Sequence, residues 1–254
     1  MPDGLPEVRR DGDVCVITFQ REQKLNAIST EVERALLGAL AGPEVRESRC
    51  VVLTGGQKAF SAGADLKEER DESPAGIDGY YRDTGDVYER IAALPQPTFT
   101  AISGWCLGAG FELALATDFR IADETAVFGL PEVELGILPS SGGTYRLVRV
   151  VGPARAKELM LLKPRVNAEE AFRLGVATEV VAAGEALPRA LELAQQVAEL
   201  PPLAASAAKQ AANAIAESGR EAGVLIERLA YAALAQTPEA KAAGEAFGAR
   251  KTSK

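Results

Sequence analysis

Two segments of the chain follow one plan. VVLTGGQKAFSAGADL (residues 51–66) and TFTAISGWCLGAGFEL (residues 98–113) each pass from an apolar, β-branched run through a Thr/Ser-Gly step and a short loop to an Ala-Gly pair. The apolar runs predict strands, and each Ala-Gly pair predicts the corner before a helix. The echo is a local repeat of a strand–loop–helix unit. If the two strands lie side by side, the two corners meet. A helix start carries unsatisfied N–H groups and the positive end of the helix dipole. The N–H groups of Ala62 and Ala109 are then placed to face developing negative charge, and small residues let a ligand carbonyl approach. Tight helix–strand packing alone would also explain either corner.

The second copy holds a carboxylate in an unexpected place. In GAGFELALATD (residues 108–118), Glu112 lies inside a run otherwise suited to burial. Histidine is absent from the whole chain. That excludes Ser-His-Asp and Cys-His nucleophile systems, HExxH metal sites and an imidazole base. Acid–base chemistry then falls mainly to carboxylates. GAGFEL lacks the third glycine of a dinucleotide fingerprint, and GGQKAFSAG lacks the GK[ST] of a P-loop.

Further strands are expected at 14–19 (VCVITF), 50–56 (CVVLTGG), 118–123 (DFRIAD) and 177–182 (ATEVVA). STEVERALLGAL predicts a helix with Thr30 as N-cap and Glu33 as the capping-box partner. GADLKEERD predicts a short helix. DESPAGIDG (71–79) is rich in turn residues and predicts a mobile loop, followed by a helix over YYRDTGDVYERIAAL. Asn167 and Glu170 form a second capping pattern, and Gly175 a helix stop. From about residue 185 the chain is Ala-rich and helical, interrupted at Pro201–Pro202 and Pro238. Strands dominate the front and helices the rear, which predicts an α/β fold: a core over 1–183 and a helical region over 184–254.

The 254 residues carry a formal net charge of −8 with no basic run, which argues against a nucleic-acid partner. Three scattered cysteines, Cys15, Cys50 and Cys106, with no metal spacing predict buried free thiols in a reducing compartment. The polar start has no signal-peptide pattern, and no apolar run reaches the roughly 20 residues a spanning helix needs. These features predict a cytoplasmic protein with no membrane partner and no metal.

Three long motifs carry a resemblance. KAFSAGADLKE (58–68), AISGWCLGAGFELALATDFRIAD (101–123) and FGLPEVELGILPSSGGTYRLVRVVG (128–152) together resemble the enoyl-CoA hydratase/isomerase, or crotonase, superfamily. The similarity continues through LLKPRVNAEEAFRLGVATEVV to the tail. It implies a crotonase-like spiral of ββα turns with a C-terminal helical trimerisation region, as a homotrimer or dimer of trimers. It implies an acyl-CoA thioester as partner, with coenzyme A entering as part of the substrate and no permanently bound cofactor. The matching oxyanion donors are the N–H groups of Ala62 and Ala109. The two glutamates of a hydratase match Glu112 and Glu132, whereas simple isomerases usually keep only the second. Glu134 falls off the pattern.

Family position makes Lys24 and Lys58 candidate phosphate contacts. It sets the adenine against the backbone near Ala64, Asp65 and Leu66, and lets Phe247 and Lys251 reach a neighbour's cofactor. The sequence departs from the family pattern at Ser140, where glycine is common, and this implies an altered acyl pocket. The expected reaction is reversible addition of water across the C2–C3 double bond of a 2-enoyl-CoA. The alternatives are an isomerase or a hydratase of an unusual acyl-CoA on the same scaffold, or a catalytically silent acyl-CoA-binding trimer.

Overall fold

Strands that are apolar at every position, rather than at alternate ones, require a sheet covered on both faces. The computed structural model describes residues 4–68, 71, 73–162 and 165–252, excepting the side chains of 246–252. A hairpin opens the fold: β1 (Glu7–Asp11), which was not anticipated, pairs antiparallel with β2 (Val14–Thr18). Then follow α1 (Thr30–Leu40), α2 (Pro43–Arg46), β3 (Cys50–Thr54), β4 (Ala59–Ser61), α3 (Pro74–Arg82) and α4 (Val87–Ala92). The chain continues through β5 (Thr98–Ile102), β6 (Trp105–Leu107), α5 (Ala109–Leu115), β7 (Phe119–Asp123), β8 (Val127–Gly129), α6 (Gly143–Leu161), β9 (Val166–Asn167), α7 (Ala168–Arg173) and β10 (Glu179–Val181). Four helices complete the described chain: α8 (Ala186–Ala198), α9 (Pro202–Ala216), α10 (Arg220–Leu234) and α11 (Pro238–Thr252).

Two sheets share these strands. The larger has the order β1-β2-β3-β5-β7-β10 and is parallel from β2 onward; the smaller has the order β4-β6-β8-β9. Each turn of the chain gives one strand to the large sheet and the next to the small one: β3 then β4, β5 then β6, β7 then β8. The repeat read in the sequence is two turns of this spiral, and β7–β8 is a third. The parallel pairing of β4 with β6 stacks the two corners.

Alternate residues of the large sheet enter two different cores. Cys15, Ile17, Val51 and Leu53 face a core shared with α1, α4 and α5, where Phe60, Tyr88, Phe111 and Phe128 are buried. Val14, Val16, Val52 and Phe99 face the other side, against Ala186, Ala190, Ala194 and Ala198 of α8. That four-residue alanine stripe lies on one helix face and lets α8 sit close to the sheet. The expected division at residue 183 therefore precedes a helix that belongs to the core, while α9 and α10 pack mainly on each other.

Several local expectations are corrected. Ser29, not Thr30, caps α1, its Oγ accepting from Val32 N–H at 3.4 Å. Glu33 is no capping partner; it is buried. Residues 63–68 are not a helix: Ala64 forms a β-bridge and a turn follows at residues 66–67. The stretch 71–79 is not a loop throughout: Ser73 caps α3, accepting from Gly76 N–H, and Pro74 supplies the pre-set φ of a first helical residue. The helix expected after it is interrupted near Asp83. Asn167 does cap α7, accepting from Glu170 N–H at 2.9 Å, and Gly175 has the left-handed φ of 76°.

The three cysteines are buried free thiols, and burial pushes Cys15 up to about 11 and Cys50 to about 12. Among the described residues no helix is long and apolar enough to cross a membrane, and no cluster has a metal-ligand set.

Candidate active site

Glu112 stands one turn into α5 with only 4% of its surface exposed. Its Oε1 accepts two backbone N–H bonds, from Ser141 at 2.7 Å and Gly143 at 2.9 Å. Both donors come from the SSGG segment at the start of α6. Gly143 is required there by close approach: a Cβ would stand 2.7 Å from Glu112 Cγ and 3.0 Å from Pro139 Cβ. Burial raises the proton affinity of Glu112, against the pull of these two N–H groups and of Arg146. Arg146 is itself buried. It donates to Ser141 O at 3.1 Å and to Glu89 Oε1 at 2.7 Å, so it fixes the segment that holds Glu112.

Glu132 lies in the short 3-10 turn over Pro131–Leu135 and is 9% exposed. Its Oε2 is buried with no hydrogen-bond partner among the described residues. Burial first, and the nearby Glu112 charge after it, push its carboxyl up to about 7, against its own backbone N–H. A buried carboxyl oxygen without a donor favours the protonated form. The two glutamates thus occupy unlike environments: one is held by fixed N–H groups, the other carries an unmatched oxygen.

Both line one cavity of about 220 Å³, together with Ala62, Gly63, Ala64, Gly108 and Ala109. The two corners meet there: a Cβ on Gly63 would lie 3.6 Å from Ala109 N. Ala109 is the first residue of α5, so its N–H has no helical acceptor. Ala62 does not match the expectation. Its N–H donates to Leu25 O at 2.9 Å and is committed within the protein. Leu25 and Asn26 are both left-handed, with φ of 51° and 53°, and Asn26 Nδ2 donates to Ala59 O at 2.9 Å.

One turn of chain later, Ile28 forms a parallel bridge with Ala64, using Gly63 O and Asp65 N–H at 2.8 Å each. The intervening Ala64 N–H has no partner among the described residues and faces away from Ile28, as alternation along an extended segment dictates. The open N–H on the first corner is therefore that of Ala64.

The remaining candidates divide. Leu66 is 74% exposed and lines the cavity, with Leu135, Ile137 and Leu138 also exposed along it. Asp65 is paired with Arg21 at 3.0 Å and with Lys24 at 3.2 Å, which holds its carboxyl below the usual range. Lys24 is half exposed at that pair and Lys58 is exposed. Ser140 lines the cavity and its Oγ accepts from Tyr81 O–H at 2.5 Å, so the extra side chain is tied to α3. Glu134 is exposed and 3.8 Å from Arg165. The side chains of Phe247 and Lys251 lie outside the described residues. A larger cleft of about 480 Å³ lies at the other end of α5, beside Arg149 and Asn213, away from both glutamates.

The profile of enoyl-CoA hydratase/isomerase matches residues 9–253. The chain belongs to this family. It is 40% identical over 245 residues to a probable enoyl-CoA hydratase of Rhizobium meliloti, covering 96% of this chain and 95% of that one. It is 36% identical to the 2,3-dehydroadipyl-CoA hydratase of Escherichia coli, covering 96% of each. Among solved structures, the enoyl-CoA hydratase of Bacillus anthracis superposes with a TM-score of 0.89 at 35% identity over 96% of both chains. A putative enoyl-CoA hydratase of Thermobifida fusca, solved in complex with CoA, gives 0.84 at 30% identity over 91% of this chain and 93% of that one. The fold is the crotonase spiral expected from the sequence.

Arg21, Arg146 and the SSGG donors escaped sequence reasoning, because their partners lie far away in the chain. The only local signal for Arg146 was a lone cation inside the apolar run YRLV.

Proposed function

We propose that the protein is an enoyl-CoA hydratase. The observation that carries this reading is the pair of unlike glutamates facing one cavity beside two open backbone N–H groups. The thioester oxygen binds between Ala64 N–H and Ala109 N–H. Glu112, held by two N–H groups, takes a proton from water as the water oxygen bonds to C3. The C2–C3 π electrons move toward the thioester, whose oxygen gains charge. Glu132 then delivers its proton to C2, which regenerates a neutral thioester. Each fixed donor at a developing oxyanion contributes about 2.7–4 kcal/mol, and the acid–base pair roughly 10²–10⁴-fold.

The CoA phosphates are assigned to Lys24 and Lys58, with the adenine near Asp65 and Leu66. A trimer, or a dimer of trimers, is the expected assembly. An acidic chain with no basic run gives no support to a nucleic-acid role.

The test is hydration of crotonyl-CoA against a 3-enoyl-CoA. Turnover of the 3-enoyl thioester alone would replace this reading with an isomerase, and CoA binding with no turnover would replace it with a silent binder. The pH profile is a second check. Hydration requires protonated Glu132, so kcat/KM falls as pH rises through about 7. Glu132→Gln removes that limb along with most of the activity.

A further inference from the structure

On its α1, α3 and α4 side the cavity, whose lining is otherwise mostly apolar, carries a cluster of hydroxyl and carboxyl groups. Glu33 lies on α1 beside Val32 and one turn before Leu36, both buried, and is itself 1% exposed. Its carboxylate accepts from Tyr80 O–H at 2.6 Å and Thr84 O–H at 3.0 Å, with Tyr88 O–H at 3.3 Å. Tyr81 and Ser140 form a further hydroxyl pair. Glu33, Tyr80, Tyr81, Tyr88 and Ser140 all line the cavity that holds Glu112 and Glu132. The apolar liners Leu66, Leu135, Ile137 and Leu138 are the exposed ones.

A buried carboxylate is costly unless hydrogen-bonded. Three hydroxyls from the α3–α4 stretch converge on this one. The reaction assigned to Glu112 and Glu132 uses none of these groups. A phenol or serine hydroxyl both donates and accepts, so the wall suits an acyl group ending in a hydroxyl. The Glu33 charge disfavours an acyl group ending in a carboxylate, because like charges in a confined cavity repel strongly.

We infer that Glu33, Tyr80, Tyr81, Tyr88 and Ser140 form a specificity wall that selects acyl-CoA thioesters with an uncharged, hydroxyl-bearing acyl terminus over plain alkyl and over carboxylate-terminated ones. This rests on the acyl-CoA reading of the site.

The test is calorimetric binding of matched saturated thioesters to the full chain: butyryl-, 4-hydroxybutyryl- and succinyl-CoA, and the corresponding six-carbon series. The hydroxylated member of one series binds about tenfold tighter than its alkyl partner, the worth of one net hydrogen bond, and the dicarboxylic member binds weakest. Tyr80→Phe shrinks the hydroxyl-to-alkyl ratio. Glu33→Gln shrinks the alkyl-to-carboxylate ratio. Ratios within one variant cancel a general loss of folded protein, which a purely structural role would produce.

Equal affinity for all three ends in both series, or ratios unmoved in both variants, overturns the inference. Tightest binding of the dicarboxylic thioester overturns it equally. Crotonyl-CoA turnover, measured alongside, reports on the hydratase reading separately: binding selectivity without turnover leaves this inference standing and removes that one.

Discussion

At residues 61–65 the backbone turns against Leu25 and Ile28; at residues 108–112 the matching turn runs on into α5. The two stretches align residue for residue, with Ala62 opposite Ala109. Yet the open N–H of the first corner belongs to Ala64, two residues on. The Leu25 carbonyl takes the Ala62 proton, and the bridge to Ile28 turns the next free N–H outward. The second corner has no such neighbour, and its helix start leaves the Ala109 N–H open. The carboxylates diverge too. Asp65 is neutralised by Arg21 and Lys24 outside the cavity lining, whereas Glu112 is carried by a helix into the cavity. An internal repeat specifies where the chain turns. What packs on each turn decides which atoms it offers.

Changes at the second corner should therefore remove chemistry, and changes at the first corner's carboxylate should not. Glu112→Gln is expected to lower the hydration kcat by about 10²–10⁴-fold, measured on crotonyl-CoA; a loss under tenfold would break the contrast. Ala109→Pro deletes one N–H at a helix position where proline is tolerated. A drop of about 10²–10³-fold in kcat is expected, with a melting temperature close to the parent's. Unchanged kcat would move the oxyanion away from this corner.

Gly110→Ala tests the contact between the corners. The new Cβ would meet Ser61 O at 2.6 Å and Ser61 Cβ at 2.7 Å. A loss of about 1–3 kcal/mol in urea unfolding is expected from overpacking. Asp65→Asn leaves the chemistry most nearly intact, although it breaks an ion pair with Arg21 whose side chains are only 10% and 15% exposed, so stability falls with it. KM for the thioester shifts while kcat stays within about twofold, a loss too small to count as acid–base catalysis. A large kcat loss would give the first corner a chemical duty equal to the second's.

Much of this is legible in the sequence. Apolar runs without alternation marked the central strands, and the echo marked the spiral. Glu112 and Glu132 stood out through the family motifs, and the Asn167 cap and Gly175 stop follow from local chemistry alone. The strand β1 was missed because only one residue in EVRRD is apolar; its partner strand, not its own pattern, makes it a strand. The helix α3 was missed because proline and glycine were read as turn residues, although Ser-Pro is also a helix start.

The amino-acid order by itself determined most of the alternation of strands and helices, the position of both corners, and the place of Glu112 inside an apolar run. Those features depend on neighbours within one or two turns of chain. Only the tertiary structure decided which corner N–H stays open, which glutamate keeps an unmatched oxygen, and that Glu33 enters the cavity wall rather than capping its helix. Each of these depends on a partner many residues away: Leu25 for Ala62, Ser141 and Gly143 for Glu112, and Tyr80, Thr84 and Tyr88 for Glu33. Hydrogen bonding and desolvation are set by such three-dimensional neighbours, and no local pattern encodes them.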